Sequence, residues 1–253
     1  MKRFSMENRR LSIVSRIIII ISWMALYKII DNEVIFPGIK STIVELFKII
    51  KSPSFLLIVK STILRSLIGF LFSLILAMIL GILASVWNFV YYLMKPVLNF
   101  LTSTPTMAII ILALIWLDNE IVPMFVGFIM VFPILYETAL NSILNIDENI
   151  IQMAKIYKVN KGTILKDLYI PSIFYSISMV FTSALGMNMK MVIAGEVLSQ
   201  PRYAIGSNLQ LQKTYLNTAG VFAWIIIILL ISKIFKYFMK RLDDLLKLNE
   251  WRD

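Results

Sequence analysis

NIDENIIQMAKIYKVNKGTILKDLYIP, residues Asn145–Pro171, is the longest break in a chain otherwise written as apolar segments joined by short connections. Ile150, Met153, Ala154 and Tyr157 recur at i, i+3, i+4 and i+7, which predicts one apolar face of an α-helix. Asp147 and Glu148 stand just ahead of that face, where negative charge caps and complements a helix start. Asn160 and Gly162 predict a turn. Ile164, Leu165, Leu168 and Tyr169 form a second short face, and Pro171 is expected to stop it. Two short helices and a turn, held between apolar segments, make a docking element; the plainer alternative is a solvated loop with residual helix.

The flanking segments place this element at a membrane. Of 253 residues 59% are hydrophobic and 16% charged, and the mean hydropathy is +0.82. Soluble domains average about 45–50% apolar residues, so a bilayer is the solvent that can cover this surface. The expected class is all-α and polytopic. The chain has no cysteine and no histidine. Disulfides, thiolate or imidazole metal sites, His-based triads and proton relays through His are therefore excluded. There is no G-x-x-x-x-G-K-[ST] loop to cradle nucleotide phosphates. The net charge of +10 is the topology signal of a membrane protein rather than a nucleic-acid footprint.

Six spans are predicted, at about 11–30, 62–86, 104–117, 121–140, 172–198 and 219–237, with 145–171 as the docking segment of a single domain. The start is basic and the first apolar run is followed by no small-residue cleavage pattern, so a retained span is expected, with Arg16 near its inner end. Phe36-Pro37-Gly38 turns the chain into a short surface helix, Ser41–Lys51, with Ile43, Phe47 and Ile50 on one stripe. In the second span Ser73, Ala77, Gly81 and Ser85 recur every fourth residue, which permits close helix approach. Asn88–Ser103 reads as a turn with helical parts, the span at 104–117 is short for a 30 Å core, Asp118-Asn119-Glu120 is a polar cap, and 199–218 is a polar connection. Basic residues number four at the start (Lys2, Arg3, Arg9, Arg10), four in the docking segment (Lys155, Lys158, Lys161, Lys166) and six after Ser232. Asp31–Lys60 also holds four. The balance predicts both termini in the cytoplasm.

Ionisable residues within spans cost about 2.5 kcal/mol or more at a helix centre. Arg65, Glu137, Lys190 and Glu196 are the candidates. Arg65 and Glu196 are expected near the outer ends of their spans, as a structural ion pair or interfacial anchors, and with Lys190 they are the candidate substrate-path residues. Glu137 is placed near the cytoplasmic end. Met187, Met189 and Met191 alternate and cannot share a helix face, so flexible packing is expected rather than soft-metal binding.

The chain resembles the permease subunits of ABC importers. Their docking pattern is E-A-A-x-x-x-G followed at fixed distance by Pro; here the matching positions are Gln152, Met153, Ala154, Lys158 and Pro171, so the glutamate and the glycine are replaced. Further similarity lies in IFPGIKSTIVELF, STILRSLIGF, TPTMAIIILALIW, FPILYET and MVIAGEVLS, in that order, over about Phe36–Arg241. Thr106 and Ile111 stand where relatives often have proline, and Asp118 where they often have glycine. The pattern is most similar to the nitrate, sulfonate and taurine branch. The resemblance implies a type I importer permease fold in a bacterial inner membrane and no catalysis in this chain. It implies ATP and Mg bound by partner ATPase subunits, a second permease subunit, and an external solute-binding protein delivering a small anion or vitamin precursor. Gln152, Met153, Ala154, Tyr157, Lys158, Gly162 and Pro171 would couple to the ATPase, with Gly162 allowing the turn and Pro171 fixing its end. An ion-coupled secondary transporter and an uncoupled membrane scaffold are the alternatives.

Overall fold

The structure, a computed structural model, describes residues 9–250. Lys2 and Arg3 lie outside the described residues, as do the side chains of Arg9, Arg10, Arg16, Lys155, Lys161 and 238–250. Every regular element among the described residues is helical. The Ile-rich runs would favour strands in water, but in lipid each backbone N–H must find a carbonyl within its own segment, and only a helix or a closed barrel achieves that. Contacts group the chain into two compact units, Met1–Phe55 with Asn208–Leu229, and Leu56–Ser207 with Leu230–Asp253.

The smaller unit holds α1 (Arg9–Ile30), α2 (Ile39–Lys51) and the start of α11 (Thr218–Glu250). Trp23 donates from Nε1 to the Pro37 carbonyl at 2.9 Å, and its ring meets Phe36 and Phe222 at 6.2 and 5.4 Å. Glu33 accepts from Ser41 at 2.7 Å, which seats the turn before α2. On α2, Thr42 and Ile49 are buried while Ile43, Phe47 and Ile50 form the exposed apolar stripe read in the sequence.

The larger unit is built on α3 (Phe55–Val86), α6 (Val122–Leu144) and α9 (Ile170–Ser199). α6 and α9 run antiparallel, with Gly195 against Pro123, Gly127 against Val192 and Asn188, and the Ser172 hydroxyl donating to the Ser142 carbonyl at 2.8 Å. Small residues set the spacing of α3 as well. Thr62, Ser66, Gly69, Ser73, Ala77, Gly81 and Ala84 are its buried stripe, Gly69 lies against the Met124 carbonyl, and Gly81 against Ala139. The expected positions Ser73, Ala77 and Gly81 all belong to it; Ser85 is half-buried. Phe70, Leu135, Tyr136, Ala184 and Leu185 fill the core beside that stripe, and Phe70 meets Phe181 edge-on at 5.1 Å. Met187 and Met191 pack against different apolar clusters one turn apart, and Met189 is buried on another side of the helix.

Between α3 and α6 the structure departs from the sequence reading. Asn88–Ser103 is not a turn but a continuous helix, α4, and it meets α5 (Thr106–Trp116) at 105°. Pro105 causes the break: the residue before a proline is pushed out of the α region, and Thr104 sits at φ −78°, ψ 130°. The 11 residues of α5 reach about 16 Å, half of a bilayer core, so the 104–117 segment does not cross alone. Among the described residues five helices are long and apolar enough to span, and a sixth crossing is available if the bent α4–α5 pair is counted as one.

Candidate functional site

The docking segment folds as α7 (Glu148–Ile156), a turn, α8 (Lys161–Ile164) and one π-helical turn, Leu165–Tyr169, that runs straight into α9. Asp147 caps α7, its Oδ1 accepting the Asn149 N–H at 2.8 Å. Asn160 does the same for α8, accepting the Gly162 N–H at 3.1 Å. Ile150, Met153 and Tyr157 point outward on one face, Tyr157 at 77% and Met153 at 54% exposed, with Ala154 half-buried beneath them. With Val159, Ile164 and Leu168 they line a shallow hollow of about 280 Å³. Gln152, Gly162 and Pro171 are also exposed.

Two expectations about the turn are corrected. Gly162 is not the residue that permits it: no glycine has positive φ, whereas Lys158 sits in the left-handed region at φ 51°. The Val159 N–H reaches back to the Ala154 carbonyl at 2.9 Å, the six-to-one bond of a Schellman helix end with Lys158 at its left-handed position. This is the position where the permease pattern has glycine, and glycine takes that conformation without the Cβ penalty of about 1–2 kcal/mol. Lys158→Gly is therefore expected to tighten the end of α7 by about 0.5–1 kcal/mol. Amide exchange across Glu148–Ile156 should slow two- to fivefold, and unchanged exchange would contradict the assignment.

Pro171 does not stop the second helix either. It is the second residue of α9, which continues to Ser199. A proline cannot donate to the carbonyl four residues back. The π turn immediately before it replaces the ladder with wider bonds, the Ile170 N–H donating to the Leu165 carbonyl. The surplus residue absorbs the missing donor without a break.

At the far end of the α6–α9 pair, Arg65 and Glu196 meet. Glu196 is fully buried. Its Oε1 accepts from Arg65 Nη1 at 3.1 Å, and its Oε2 accepts from the Thr62 hydroxyl at 3.0 Å and the Gly206 N–H at 3.1 Å. Thr62 in turn accepts the Ile205 N–H at 3.1 Å. Arg65 also donates to the Tyr203 carbonyl at 2.8 Å and pairs with Glu120. Glu120 accepts the Arg202 N–H at 2.9 Å. One guanidinium thus straps α3, the turn before α6 and the loop after α9 together. The sequence leaves Arg65 and Glu196 as an ion pair or as interfacial anchors and gives Glu120 only as part of a polar cap; the structure joins all three.

Glu120 lies outside the spans. Partial burial pushes its carboxyl up, but the Arg202 N–H and the hydrogen bond and charge of Arg65 outweigh this and leave it below the ordinary carboxylate range. A folded-state value below the unfolded one adds stability above the unfolded value and loses it as pH falls through the folded one. The wild-type thermal midpoint should hold from pH 8 to 5 and fall on further acidification, with a smaller acid-side fall in Glu120→Gln.

Lys190 is exposed on α9, one third of the helix in from Ser199. Asn188, its neighbour but one, is fully buried and accepts from the Ser66 hydroxyl at 2.8 Å, a polar contact in mid-span that the sequence signals only as an amide in an apolar run. Glu137 is exposed on α6.

An outward-facing apolar helix, α7, thus stands one turn before the helical run that becomes α9, and an ion-paired strap lies at the other end of that run. No curated protein matches the chain. Residues 73–248, well over half of it and including the whole docking segment, match the family described as the binding-protein-dependent transport system inner membrane component. The chain belongs to that family, and is a multi-pass membrane permease subunit of the ABC transporter class.

Proposed function

We propose that the chain forms half of the pore of an ABC importer. A second copy or close relative supplies the other half, and two ATPase subunits dock beneath it and bind the ATP and Mg. An external binding protein delivers a small solute of the nitrate, sulfonate or taurine kind, or a vitamin precursor. Both termini and the docking segment face the cytoplasm of a bacterial cell. The observation that carries this reading is the apolar face of α7. Ile150, Met153 and Tyr157 stand exposed in a segment flanked by lysines, on a helix joined by one turn to the unbroken helical run Gly162–Ser199. Such a face buries its area only in a partner's groove, as amphipathic helices do when they dock. Motion of the ATPase then reaches α9 through that turn and the helical run that follows it.

The test is purification of the tagged chain from its native membrane in mild detergent, wild type beside Tyr157→Asp. An ATPase should accompany the wild type and be lost from the variant, because an aspartate at the centre of the docked face would be desolvated without a partner. A wild-type preparation without any ATPase contradicts the reading.

A further inference from the structure

We propose that Lys190 is the fixed positive charge of a water-accessible path along α9, and that this path takes small anions; the proposal rests on the pore reading above. On α9, Met179, Ser183, Gly186 and Lys190 follow one another at helical spacing and form an outward stripe. Met179, Ser183 and Lys190 are exposed, and a Cβ built on Gly186 would meet nothing within 4 Å. The opposite side of the same turns, Ala184, Leu185, Asn188, Met189 and Val192, is buried. Lys190 lies nine residues before the end of α9, about 14 Å along the axis. Measured from that end of the helix, the position is deeper than a snorkelling side chain reaches.

An ammonium there, facing hydrocarbon, costs about 2.5 kcal/mol or more. Among the described residues no carboxylate pairs with it and no hydrogen bond involves Lys190. Glu196, the one other charge on α9, is buried and held by Arg65. α5 has no charge, and the only one on α6 is Glu137. The antiparallel register, Ser142 beside Ser172 and Gly127 beside Val192, sets Glu137 level with about residue 179, some 16 Å from Lys190 along the axis. A charge with no partner and no lipid it can tolerate belongs in water, and a lone cation in a narrow aqueous path raises the local concentration of anions.

Because the chain contains no cysteine, single introduced thiols report on the path without background. Gly186→Cys, one turn from Lys190, and Ser183→Cys as a second position would be treated in native membranes with a methanethiosulfonate bearing a sulfonate and one bearing a trimethylammonium. The expected result is labelling of both thiols, with the sulfonate favoured, and a loss of that preference by about tenfold when Lys190→Gln is added. No labelling by either reagent at both positions overturns the water path. Labelling whose charge preference ignores Lys190→Gln overturns the anion assignment. ATPase co-purification is scored on the same membranes: thiol labelling without an ATPase removes the importer reading alone, and an ATPase without labelling removes only the path.

Discussion

Arg65→Ala is expected to lower the thermal midpoint of the detergent-purified protein by about 10 °C, the largest loss from any single side chain outside the apolar core. Removing one partner of a buried pair costs about 3–5 kcal/mol, because the other is left as an uncompensated charge. For a chain of this length each kcal/mol moves the midpoint by about 2–4 °C. Glu196 is fully buried, while Glu120, the other acid on the same guanidinium, is 55% exposed and can return to water. The cost therefore falls on Glu196. Arg65→Met with Glu196→Gln should recover most of it. The amide oxygen of glutamine still accepts from Thr62 and from the Gly206 N–H, and no buried charge remains unpaired. If Arg65→Ala melts within two degrees of wild type, Glu196 is protonated in the folded protein and the strap contributes little.

The second large effect is expected from one added methyl group. A Cβ on Gly206 would lie 2.5 Å from the Glu196 Cβ, 2.6 Å from the Ile193 carbonyl oxygen and 2.6 Å from the Val197 nitrogen. Backbone atoms and the root of a side chain cannot swing aside, so Gly206→Ala must push the loop off α9 and break the Gly206 N–H bond to Glu196. Overpacking of this kind costs about 1–3 kcal/mol, and a buried carboxylate deprived of a donor about 1–3 more. Gly69→Ala should behave alike, its Cβ falling 2.6 Å from the Met124 carbonyl oxygen. Gly186→Ala, which meets nothing within 4 Å, should be neutral or gain about 0.5–1 kcal/mol as glycine leaves a helix interior. The contrast is read from midpoints of the three variants in one detergent. Equal midpoints would contradict the close approaches at Gly69 and Gly206.

The helical class and the presence of several apolar helices long enough to cross a membrane were legible in the sequence. Lipid leaves the backbone one local solution over any long apolar run, so composition alone decides the element. The cap at Asp147 and the apolar face of α7 were legible too, because both depend on residues within one or two turns of each other. The alternation that kept Met187, Met189 and Met191 off one face follows from the same local geometry.

What the sequence misplaced were choices among local rules. Both Asn160-Lys161-Gly162 and Lys158 lie where a chain can turn, and glycine was the better guess by propensity. The structure uses Lys158, where the Val159 N–H bonds back to the Ala154 carbonyl and closes the helix one turn earlier. Pro171 followed a helical face and read as its end, but a single π turn, Leu165–Tyr169, accommodates it. Around Thr104-Pro105 the sequence reading expected a turn and then a span, whereas the break separates two helices, α4 and α5.

The sequence by itself thus determined a many-helix membrane chain with a helical handle between spans, since those features arise from bonds and burial within one segment. Tertiary structure alone decided that one guanidinium serves two acids, 131 positions away at Glu196 and 55 at Glu120, and that Lys190 pairs with none among the described residues. Pairing across such separations depends on which faces α3, α6 and α9 turn to one another, and that is set by where small residues let the helices close.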